Sequence, residues 1–246
     1  MNVPPAKLLT WAALAISVAA VSCTSGANWP SGPVQTETRS VQLGDAKTVR
    51  AEIKMGAGEM TLGGGARDLF EGEFSSAVAR WKPQVDYSVS GSHGLLTVRQ
   101  PEGSGPMRNS KNQWDLHFNN RVPLELSVEL GAGKSTLELG ALALSRLDVK
   151  MGVGETIVNL AGDWKNDLQA RIHGGVGQAT VKLPRDVGVR VRARGGIGEI
   201  RAGELKKDGD IYTNDAYGKS PVTLSVDVEG GIGQINLEIG EGPAVI

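Results

Sequence analysis

The chain has 246 residues, with 26 Lys and Arg against 27 Asp and Glu and a formal net charge of -1. That balance excludes a basic nucleic-acid-binding domain and any global field drawing the protein to an anionic membrane. Gly counts 34 while aromatic residues make up only 4%, so tight turns should outnumber helices, and the single Cys excludes an internal disulfide framework and a multi-cysteine zinc site.

The first element is a signal. Met1 to Lys7 is short and carries one positive charge, and Leu8 to Val21 is an apolar run of 14 residues. At 1.5 Å per residue that run covers about 21 Å, short of the ~30 Å hydrocarbon core, so cleavage is expected rather than a permanent span. The run ends Ala20-Val21-Ser22-Cys23, which resembles a bacterial lipobox. The resemblance implies that residues 1–22 are removed and that Cys23 is lipidated, anchoring the chain to a membrane. Residues 23–44 open with Thr24-Ser25-Gly26-Ala27-Asn28-Trp29-Pro30 and read as a flexible tether to a domain over 45–246.

Within that domain a Gly-apolar-Gly signature recurs six times, at Gly56-Ala57-Gly58, Gly131-Ala132-Gly133, Gly152-Val153-Gly154, Gly175-Val176-Gly177, Gly196-Ile197-Gly198 and Gly231-Ile232-Gly233. Spacings of 21 to 23 residues recur three times, and two longer gaps read as insertions into the same unit. Five residues before the second Gly stand Ile53, Val128, Val149, Ile172, Ala193 and Val228; two residues earlier stand Ala51, Leu126, Leu147, Ala170, Val191 and Val226. Period two means strand. Four residues after the same Gly stand Leu62, Leu137, Val158, Val181, Ala202 and Leu237, so the inward parity changes across the glycine, as a corner requires.

One such unit cannot bury a core alone, whereas stacked units can. The expected fold is therefore an all-β, single-stranded β-solenoid of stacked Gly-x-Gly repeats, with an antiparallel β-sandwich as the runner-up. Stacking in sequence order sets Glu129 between Lys54 and Lys150. It also makes Arg171 and Arg192 neighbours, with Asp148 and Asp227 on their flanks.

Two insertions interrupt the array. Residues 66–122 contain Phe70, Phe74, Trp81, Tyr87, Trp114 and Phe118 and are expected to extend the sheets or cap the N-terminal end; an aromatic carbohydrate platform is the sharper alternative. Residues 204–221 contain the Asp208-Gly209 turn and are expected to project from one rung. There Tyr212, Asn214, Asp215 and Tyr217 form either a recognition loop or a hairpin whose rings pack on the solenoid.

Some motifs imitate chemistry. Gly131-Ala132-Gly133-Lys134-Ser135-Thr136 lacks the first glycine of a phosphate loop, since Val128 stands there, and Leu137-Glu138-Leu139 alternates as a strand where a helix is needed. His93, His117 and His173 have no ligand spacing. No catalytic residue, cofactor, metal, nucleotide or nucleic-acid partner is expected.

Met55-Gly56-Ala57-Gly58-Glu59, Phe70-Glu71-Gly72-Glu73-Phe74, Asn112-Gln113-Trp114-Asp115-Leu116, Leu183-Pro184-Arg185-Asp186-Val187-Gly188-Val189 and Tyr212-Thr213-Asn214-Asp215-Ala216-Tyr217 together resemble the toast-rack family of bacterial envelope proteins, related to adhesin-type β-repeat domains. The resemblance runs from about residue 45 to the C-terminus. It implies stacked β-structure and brings no functional residue with it. The expectation is a non-enzymatic lipoprotein of the cell envelope, lipid-anchored and facing the periplasm or the cell surface. It would act as a rigid scaffold or adhesion-type module for a protein or glycan. An envelope-stress sensor or modulator of a membrane-bound signalling partner is the alternative. A polysaccharide-active enzyme ranks last, because six short units offer little cleft.

Overall fold

The structure is a computed structural model that describes residues 33–101 and 111–240. The signal segment, Cys23 and the expected tether as far as residue 32 lie outside the described residues, whereas the rest of the expected tether is described and includes a strand, Gln35–Val41, paired with Phe70–Ser76. The described residues belong to one compact unit.

The strands, in chain order, are β1 (Gln35–Val41), β2 (Thr48–Gly64), β3 (Phe70–Ser76), β4 (Gln84–Ser90), β5 (His93–Arg99), β6 (Asn112–Phe118), β7 (Leu124–Glu138), β8 (Leu144–Asn159), β9 (Leu168–Leu183), β10 (Gly188–Arg201), β11 (Lys206–Asp208), β12 (Ile211–Thr213) and β13 (Thr223–Ile239). A short 3-10 turn, Ala79–Trp81, separates β3 from β4. Six of these strands carry the repeats. Each is long and cornered at Gly-x-Gly, so one strand supplies a first arm, an apex and a second arm. They pair in parallel with matching positions superposed, which makes the chain an all-β solenoid with one bent strand per rung.

The register is the one that the periodicity predicts. Val128 pairs with Val149 and Val149 with Ile172, all buried. Each such aliphatic removed from water contributes about 1.5–3 kcal/mol, and the columns place these contributions one over another. Leu139, Leu142, Leu160 and Trp164, on the loops returning from one rung to the next, are buried in the same core. The Trp164 Nε1 donates to the Leu160 carbonyl at 2.7 Å.

At each apex the second glycine has φ between 133° and 146°, a region that L side chains rarely adopt. Space forbids a side chain as well. A Cβ on Gly154 would overlap the Gly133 carbonyl oxygen, one on Gly177 the Gly154 oxygen, and one on Gly198 the Gly233 oxygen. The glycine column therefore follows from rung spacing and from backbone conformation together.

The rungs do not follow sequence order. Their order is β2, β7, β8, β9, β13, β10, with the last strand of the chain inserted between β9 and β10. Electrostatics explains why this order suits the sequence better than consecutive stacking. Asp227 now pairs with Arg171 on one side and Arg192 on the other, so the two arginines that sequence order would make neighbours are separated by a carboxylate. Glu229 likewise lies between His173 and Arg194, with its carboxylate 3.3 Å from His173.

The first insertion extends the solenoid. β5 pairs in parallel with the first arm of β2 and β6 with its second arm, forming a split rung without a glycine apex. Gln100 and Asn112 stand in for that apex: the Gln100 Oε1 accepts from the Gly56 amide at 2.9 Å, and the Asn112 Nδ2 donates to the Ala57 carbonyl at 2.7 Å. Antiparallel β4, β3 and β1 then close this end. Phe70, Phe74, Trp81, Trp114 and Phe118 are buried, with Phe74 edge-on to Trp114 at 5.3 Å, so they form core and not an exposed carbohydrate platform.

Candidate functional site

The most exposed large aliphatic side chains gather on the apex. The middle residue of Gly-x-Gly points outward at the corner, and its glycine neighbours offer no side chain to cover it. Val153, Val176, Ile232 and Ile197 occupy adjacent rungs in direct register and are 54%, 47%, 52% and 72% exposed. The row continues toward the N-terminal end as Ala132 and Ala57, where the apex becomes small. With rungs ~4.8 Å apart, the four larger side chains make a straight apolar ridge about 14 Å long.

Behind the same rungs the core is hollowed. Three residues before the second apex glycine, the first three rungs carry the buried side chains Met55, Leu130 and Met151. The other three rungs carry Gly174, Gly230 and Gly195, which are contiguous in space although scattered in sequence. A Cβ on Gly174 would meet nothing within 4 Å. The resulting hollow is shallow, with a cavity volume of about 30 Å³, and Met151, Ile172, Ala179 and Ile235 contribute apolar walls. Neither ridge nor hollow was singled out from the sequence. Both were legible there, as columns one and three residues before the second apex glycine.

Charge borders the ridge on both sides. Lys150, His173, Glu229 and Arg194 form one rim and Glu155, Gln178, Gln234 and Glu199 the other. The Arg201 guanidinium, hydrogen-bonded to Glu199, holds that carboxyl below its ordinary range.

The second insertion lies along β10 as a hairpin instead of projecting. β12 pairs antiparallel with Arg190–Arg192 and β11 with β12. Its four named residues separate into two pairs. Tyr212 is buried, with Lys207 Nζ 5.6 Å from its ring centre. Asn214 is buried and rivets the segment that leads from β9 to β10. Its Nδ2 donates to the carbonyls of Pro184, Arg185 and Val187 at 3.1, 3.3 and 2.7 Å, and its Oδ1 accepts from the Val189 amide at 3.0 Å. Asp215 and Tyr217 face outward. The Lys206 ammonium, 2.7 Å from Asp215, lowers that carboxyl's pKa by hydrogen bonding and charge. Asp210 is lowered in the same way, chiefly by its hydrogen bond from Arg194 at 3.1 Å.

The motifs that imitate chemistry are absorbed by the ladders. Lys134 pairs with Glu155 on the next rung at 3.2 Å, Ser135 is buried and donates to Thr156 at 3.1 Å, and β7 runs straight through both. His117 contacts the Gly64 carbonyl at 3.0 Å and Asp115 at 3.3 Å. Among the described residues no group of three or more His, Cys, Asp or Glu is placed to hold a metal ion.

A solenoid of bent parallel strands, cornered on glycine and carrying in-register ladders and an apolar apex, defines an architectural class. Within it, this chain belongs to the toast-rack family, whose model, described as the N-terminal domain of toast_rack, matches residues 30–182. A crystal structure of a candidate cell adhesion protein from Clostridium sporogenes is similar at 33% identity and a TM-score of 0.82, covering 84% of this chain and 100% of that one. A candidate adhesin from Bacteroides fragilis is a distant likeness, with 14% identity, a TM-score of 0.33, and coverage of 84% and 98% of the respective chains. No curated protein matches the chain.

Proposed function

We propose that the protein is a non-enzymatic, adhesion-type module of the cell envelope, tethered by a lipid on Cys23 and presenting the rigid flank of its solenoid to a protein or glycan. The observation that carries this reading is the likeness to the Clostridium sporogenes protein, named for cell adhesion, which this chain matches over that protein's entire length. The register supports it physically. A flank built of in-register rungs holds its side chains at fixed spacing, so little ordering remains to be done when a partner docks.

The tether is tested by detergent-phase partitioning of native membranes. The wild-type chain should enter the detergent phase and Cys23→Ala should leave it; an alanine variant that still partitions there overturns lipidation. The module is tested by photo-cross-linking in intact cells from probes placed along the outer face of the first arm, at Asp148, Arg171 and Asp227. One partner should be captured at all three positions, and absence of adducts at all three would contradict an adhesion role.

A further inference from the structure

The apex combines features that the adhesion reading leaves unused. Four aliphatic side chains stand about half or more exposed on consecutive rungs, bare glycines flank each one, and an apolar hollow opens behind three of the same rungs. The stripe between the charged rims is four residues wide, or at most ~13 Å, and carries no charged side chain to desolvate. That is the cross-section of an interfacial amphipathic element, built here on a strand corner instead of a helix.

The chain outside the described residues indicates what meets this stripe. The described chain starts at Pro33, ten residues after Cys23. Twelve Cα–Cα steps join Cys23 to Gln35, the first residue of β1, and when extended they reach about 40 Å. From β1 the rungs proceed through β3, β6, β2, β7, β8, β9 and β13 to β10. At ~4.8 Å per step, β8 lies about 24 Å and β10 about 38 Å along that path. A domain leashed to a bilayer at Cys23 can therefore lie with the whole ridge against the same bilayer, at the high effective concentration that a short tether confers. The rims carry mixed charge, so the surface that suits them is zwitterionic and not strongly anionic.

We infer that the apex row Val153, Val176, Ile232 and Ile197 is a lipid-contacting edge that seats the solenoid side-on on a neutral bilayer surface. The inference rests on the tethered reading for its geometry, and its test removes the lipid so that the two can fail separately. The mature chain, residues 23–246 carrying Cys23→Ser, is mixed with neutral phosphatidylcholine vesicles and sedimented. Binding should be saturable and should fall at least ten-fold when Ile197→Asp and Ile232→Asp are combined. An Ile197→Trp probe should shift its added emission to the blue and be quenched by brominated acyl chains, and a Lys150→Trp probe on the rim should be quenched much less.

Absence of vesicle binding, or binding indifferent to the two aspartates, overturns the inference while leaving the Cys23 partitioning result standing. Concentration-dependent self-association that the aspartates abolish, without lipid quenching at position 197, also overturns it and assigns the ridge to a second copy of the chain. Should the double aspartate variant unfold, the two tryptophan probes still decide the question in otherwise native chains.

Discussion

At the scale of single residues, glycine does two separate jobs in this chain, and they differ in cost. Gly154 must take φ near 135° and must also leave room for the Gly133 carbonyl oxygen of the adjacent rung. Gly209, at the hairpin turn, has φ near 60° but open space around it. Gly154→Ala should therefore cost at least about 3 kcal/mol, because the rungs must part as well as strain. Gly209→Ala should cost about 1–2 kcal/mol for backbone strain alone. In a domain of this size the first should lower the melting temperature by roughly 6–12 °C in a circular dichroism melt. Equal shifts for the two variants would show that the apex column is not set by rung-to-rung contact. The apolar residue between the apex glycines is free of this constraint, which is why it ranges from Ala57 to Ile197 and can be given over to surface chemistry.

Among the elements, the decisive one is the connection that lets the chain skip a rung. β9 ends at Leu183 and β10 begins at Gly188, yet β13 lies between them. The segment linking them is held by Asn214, which reaches three of its carbonyls and one amide from the far side of the hairpin. Removing that side chain strands several buried backbone groups, each costing about 1–3 kcal/mol when unpaired. Asn214→Ala should destabilise by about 4 kcal/mol in urea unfolding, and Asn214→Asp at least as much, since it turns a second oxygen toward three carbonyls. Wild-type stability in Asn214→Asp would contradict the rivet. The two stretches that Asn214 joins, Leu183 to Val189 and Tyr212 to Tyr217, were visible in the sequence only as separate motifs. Strand parity, the corners and the core columns were legible because they are local or periodic. The rung order was not, because period and parity are the same whichever rung lies next. Only the conflict of Arg171 with Arg192 hints at it, and nothing in the sequence around Asn214 shows that its side chain reaches Pro184 to Val189.

For the molecule as a whole, the account is that matching side chains form continuous files through a stack whose last rung is inserted from the end of the chain. The outer ladders, the apex ridge and the hollow all depend on that order, since Ile232 joins Val176 to Ile197 and Gly230 joins Gly174 to Gly195 only when β13 is in place. Neighbouring rungs bring paired positions within disulfide reach, and rungs two apart, at ~9.6 Å, do not. The measurement is therefore mild oxidation of three double-cysteine variants in a Cys23→Ala background, read by non-reducing mass mapping. Arg171→Cys with Asp227→Cys, and Asp227→Cys with Arg192→Cys, should each cross-link within one chain, while Arg171→Cys with Arg192→Cys should stay reduced. A disulfide between positions 171 and 192, with none to 227, would mean that the rungs follow sequence order and would contradict the account.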